Sequence, residues 1–110
     1  MSIEQTEVID FISIDEASGV VLLTISDHLS WDEIEGEHLV LLQEKLNGYL
    51  RYIESGRLFT DQPAARGARI VINLVGKFPL SRDATAFVSK AGAAIELAGF
   101  RLQFSVFDES

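Results

Sequence analysis

β-branched and aromatic residues fill positions 8–14 and again 20–26, and each stretch predicts a strand. Between them Asp15-Glu16-Ala17-Ser18-Gly19 supplies turn formers, so the two strands read as a hairpin with a loop of about five residues. The hairpin is apolar on both sides. Val8, Ile12 and Ile14 alternate with Ile9 and Phe11, and Val21, Leu23 and Ile25 alternate with Val20 and Leu22. An antiparallel sheet with one wetted face should alternate apolar with polar, so the second face is expected to be covered.

The period then changes. Trp31, Ile34, Leu39, Leu42, Leu46, Tyr49, Leu50 and Ile53 recur at spacings of three and four, which predicts an amphipathic helix. Ser30-Trp31-Asp32-Glu33 reads as its capping box, Leu29 and Ile34 as its hydrophobic staple, and Gly56 as its end. Such a helix has about 25 residues and a length of roughly 38 Å. Residues 57–68, with Pro63 and Gly67, predict a long connection. Ile70, Ile72 and Leu74 form a third strand that Pro79 stops, with Gly76 relaxing its end or forming a bulge. Ser81 caps a second helix with Ala84, Phe87, Val88, Ala91, Ile95 and Ala98 inward and Gly99 at its close. Phe100, Leu102, Phe104 and Val106 form the last strand. The order is β-β-α-β-α-β, an α+β two-layer sandwich whose mixed sheet has about four strands, with two helices. The last two strands, if adjacent, are parallel with a right-handed crossover.

At 110 residues, 47% hydrophobic and 24% charged, the chain is expected to be a single ordered domain. It has no cysteine, which excludes disulfides and thiolate metal sites. No basic leader followed by an apolar run opens it, and no run approaches a membrane span, so a soluble cytoplasmic protein is expected. The net charge is −8, which argues against a nucleic-acid partner. Charge is unevenly placed: residues 1–44 carry 11 Asp/Glu and no Lys/Arg, while residues 45–110 carry 6 acidic and 9 basic residues. An acidic first half can attract a basic protein partner, with Asp32, Glu33, Glu37 and Glu44 as its contact residues. The plainer alternative is neutralisation by the second half within the fold.

On the first helix Trp31, Glu35, His38, Leu42, Lys45 and Tyr49 fall along one stripe that runs through the apolar arc. Glu35 with His38 is a candidate acid–base pair, Lys45 a third candidate, and His28 with His38 a candidate metal pair. Structural hydrogen bonds and a snorkelling lysine account for the same residues more economically. Arg57, Arg66, Arg69 and Arg82 surround the long connection and the third strand, and the first three are candidates to hold an anion. No nucleophile elbow or phosphate loop occurs, and no cofactor is expected.

Three segments, residues 4–12, 24–31 and 42–56, carry a resemblance to a family of short bacterial proteins without assigned function. The segment Asp27-His28-Leu29-Ser30-Trp31 lies in the second and Asn47-Gly48-Tyr49-Leu50-Arg51-Tyr52 in the third. The resemblance implies a bacterial cytoplasmic protein and supplies no activity or site residues. Three functions follow as expectations. The first is a non-enzymatic interaction domain acting as a homodimer, from the two-faced hairpin. The others are an immunity-type inhibitor of a basic toxin or nuclease, and a small enzyme or metal binder built on Glu35 and His38.

Overall fold

The structure is a computed structural model that describes residues 11–29, 31 and 35–106. Strands β1 (Phe11–Asp15) and β2 (Val20–Asp27) pair antiparallel, with Ile12 opposite Leu23 and Ile14 opposite Val21. The turn is held by Asp15, whose carbonyl accepts the Gly19 amide at 2.9 Å and whose carboxylate accepts the Ala17 amide at 3.1 Å. Residues 8–10 of the expected first strand, the capping box at Ser30, Asp32 and Glu33, and the staple residue Ile34 lie outside the described residues.

Helix α1 (Glu35–Glu54) spans 20 residues. Gly56 turns the chain with φ 85°, a left-handed conformation that side chains beyond glycine resist. The expected loop over 57–68 is instead partly helical. It holds a short helix α2 (Arg57–Asp61) and a 3₁₀ turn (Pro63–Ala65), with Leu58 and Ala65 fully buried. Elements of five and three residues show no periodicity in sequence, and tertiary burial of Leu58 and Ala65 is what fixes them.

Strand β3 (Arg69–Gly76) pairs parallel with β2 and with β4 (Arg101–Val106), giving the sheet order β1-β2-β3-β4. Helix α3 (Arg82–Leu97) makes the second crossover. The Ser81 hydroxyl accepts the Ala84 amide at 3.1 Å as its cap, as the sequence predicts. Its end is closed by bonds from Gly99 to the Glu96 carbonyl and from Phe100 to the Ile95 carbonyl. Ala98, expected to face inward, is exposed because it is the capping residue where the helix face ends. Gly76 forms no bulge. It pairs in register with Asp27 and Val106, and a Cβ there would lie 3.1 Å from both the Phe104 ring and the Phe78 carbonyl. Close approach, not flexibility, calls for glycine.

Both parallel crossovers advance across the sheet in one direction, and the right-handed rule places α1 and α3 on the same face. Burial agrees. Val21, Leu23, Ile25, Ile70, Ile72 and Leu74 face Leu42, Leu46, Tyr49, Ile53, Ala84 and Ile95 in one core. The alternate positions belong to the opposite face, and none of them joins that core: Phe11 and Ser13, Leu22, Thr24 and Ser26, Val71, Asn73 and Val75, Arg101, Gln103 and Ser105. Among the described residues, no helix is long and apolar enough to cross a membrane.

Candidate functional site

The helix stripe predicted to carry ionisable groups inward does so. His38, Leu42, Lys45 and Tyr49 have no solvent exposure, and Trp31 retains 7%. The partner that completes the group is Asp27, the last residue of β2 and 4% exposed. Its parity matches Val21, Leu23 and Ile25, so the pleat turns it toward the helices. Nε2 of His38 and Oδ2 of Asp27 are 2.5 Å apart, and with the carboxylate ionised the imidazole donates. Oδ1 accepts the Leu29 amide at 3.1 Å, and the Asp27 carbonyl accepts the Lys77 amide at 2.8 Å. The Trp31 indole stacks on the imidazole with centroids 3.4 Å apart and planes at 12°. The Lys45 ammonium lies 5.6 Å from the centre of the Tyr49 ring, whose hydroxyl donates to the Thr24 carbonyl at 2.7 Å. Asp27 therefore ties the end of β2 to α1, to the segment before α1 and to the end of β3.

A cleft of about 630 Å³ opens elsewhere, between Ile12 of β1 and the last turns of α1. Its wall includes Arg51, Tyr52 and Ser55, then Arg57, Asp61 and Gln62. The Tyr52 hydroxyl donates to Asp61 Oδ2 at 2.7 Å, and the Arg57 guanidinium lies 5.6 Å from the Tyr52 ring centre. Burial, then the bond to Asp61 and its negative charge, push the Tyr52 phenol up to about 12, against the opposing pull of Arg57. The phenol therefore stays protonated at ordinary pH. Among the described residues neither Arg51 nor Arg57 forms an ion pair.

A family of unknown function, DUF6572, matches residues 1–108. The chain belongs to DUF6572. No curated protein matches it, and no solved structure does. In this DUF6572 member the candidate residues separate into distinct places. His38 and Lys45 are sealed in the core, Glu35 is half-buried at the start of α1, and His28 is exposed. Among the described residues no group of three or more His, Cys, Asp or Glu could hold a metal ion. Glu37 and Glu44 are exposed on the outer side of α1, while Asp32 and Glu33 lie outside the described residues.

The arginines divide. Arg57 lines the large cleft. Arg66 lines a smaller cavity of about 250 Å³ beside the hairpin turn, together with Asp15 and Glu16. Arg69 begins β3 and Arg82 follows its far end, so an eight-residue strand of about 26 Å separates them. Two residues escaped the sequence reading. Asp27 was legible from strand parity, but the expected strand stops at residue 26, one position before it. Arg51 reads as a helix-end cation, and its nearness to Arg57 depends on the turn at Gly56.

Proposed function

We propose that this chain is a non-enzymatic interaction domain that pairs with a second copy of itself across the open face of its sheet. The charge of that face carries the reading. In a chain of net charge −8, its described strand positions hold one carboxylate, Asp15, and two guanidiniums, Arg69 and Arg101. All three sit toward one end, beside Val20 and Val71. The other described positions are uncharged: Thr24, Asn73 and Gln103 form a hydrogen-bonded row flanked by Leu22, Val71, Val75 and Phe11, the last 60% exposed. Two acidic molecules meet with least repulsion where acid is scarcest, and interface centres are depleted of charge. The same patch on both partners suits a two-fold pair. The face measures about 26 Å by 15 Å, the scale of a small, reversible interface. Sedimentation velocity across concentration tests this. The wild type should reach dimer mass by about 50 µM, while Leu22→Lys and the more conservative surface change Gln103→Lys remain monomeric. A wild type that stays monomeric there removes the proposal.

A second reading, an immunity-type inhibitor of a basic toxin or nuclease, draws on α1. Lys45 is turned inward, which leaves Glu37 and Glu44 exposed, and among the described residues neither forms an ion pair. Its test is the binding of a basic toxin encoded beside this chain, with an association rate that falls steeply with salt and with Glu37→Gln plus Glu44→Gln. Rates indifferent to both would count against it. The enzyme reading draws no support from this arrangement, because a substrate reaches neither His38 nor Lys45 without displacing α1.

A further inference from the structure

We propose that the cleft between β1 and the end of α1 binds a small organic oxyanion, a carboxylate or phosphate group carried on a short apolar body. Its volume, about 630 Å³, falls within the range of small-molecule sites. Two guanidiniums line it, Arg51 and Arg57, and among the described residues neither is paired with a carboxylate. A guanidinium presents a rigid fork of donors that matches both carboxylate and phosphate oxygens. Asp61, the one carboxylate among the described wall residues, accepts from the Tyr52 hydroxyl. Gln62 and Ser55 add neutral polar groups, and Ile12 with the Tyr52 ring gives an apolar side against which a hydrocarbon or aromatic body can lie.

The other described cavities lack this combination. The one beside Arg66 is lined by Asp15 and Glu16, which repel an anion. The one at Gly36, Glu37, Val40 and Leu41 has no cation. The cleft lies on the helix side of the sheet, so its failure would leave the pairing of open faces untouched.

The test is an NMR titration of the full chain with phenyl phosphate and with benzoate, and with benzyltrimethylammonium as the charge-reversed control. Both anions should bind with saturation and shift the amides of Gly48, Ser55 and Arg57, and their affinity ratio identifies which oxyanion the site prefers. Arg51→Gln and Arg57→Gln, both at exposed positions, should each weaken binding at least about tenfold while the chain stays folded by circular dichroism. Three results would overturn the site: neither anion binding at about 10 mM, binding unchanged in both variants, or the ammonium binding as well as the anions.

Discussion

Asp27 has both carboxylate oxygens committed, one to His38 and one to the Leu29 amide, in a place that is 4% exposed. Removing it takes an acceptor from the buried His38 imidazole and another from the half-buried Leu29 amide. Asp27→Ala should lower unfolding stability by about 3 kcal/mol, and Asp27→Asn by less because an amide oxygen still accepts one bond. The urea midpoint with an unchanged slope checks this. Tyr52 gives a pH signature. Its folded pKa, about 12, lies above the ordinary value of 10, so between those values the folded state holds a proton that the unfolded state has lost. Stability from this group is complete below pH 10 and declines as pH rises toward 12. Tyr52→Phe should cost about 1 kcal/mol at neutral pH and show a flatter decline across that alkaline window. An identical slope in both proteins would mean that the phenol is not held as described.

Local signals fixed most of the elements. Ser81, Pro79 and Gly99 mark the ends of α3 with side-chain and backbone chemistry that acts within a few residues, and these ends are legible without any tertiary information. Ser81→Ala should therefore destabilise the chain by about 1 kcal/mol in thermal or urea melts. Strand parity was equally legible, since Val21, Leu23, Ile25, Ile70, Ile72 and Leu74 are all buried. The short helical pieces after Gly56 were not, because their order comes from Leu58 and Ala65 reaching the core. The role of Gly76 was also hidden: Phe104 of the neighbouring strand crowds it, together with the Phe78 carbonyl two residues on. Gly76→Ala should cost about 1–3 kcal/mol, since the carbonyl cannot swing aside as a side-chain tip would. Of the candidate chemistry, the helix stripe was visible by angle alone. Its true partner Asp27 and the pairing of Arg51 with Arg57 in one cleft needed the fold.

At the scale of the whole molecule, one layer of helices leaves one sheet face outside the core, and this follows from two right-handed crossovers that step the same way. Oil on both sides of the opening hairpin and a low-acid face on an acidic chain then describe one surface from two directions. Self-pairing there puts the Ser26 side chains of two copies on facing sheets, which pack about 10 Å apart, and puts the outer side of α1 far away. The chain has no cysteine, so Ser26→Cys and Glu44→Cys each accept a single spin label. Pulsed dipolar spectroscopy on each labelled protein measures the separation between copies. A well-defined distance from Ser26→Cys that is shorter than that from Glu44→Cys is the predicted result. No dipolar coupling in either protein, or the shorter distance from Glu44→Cys, would contradict it.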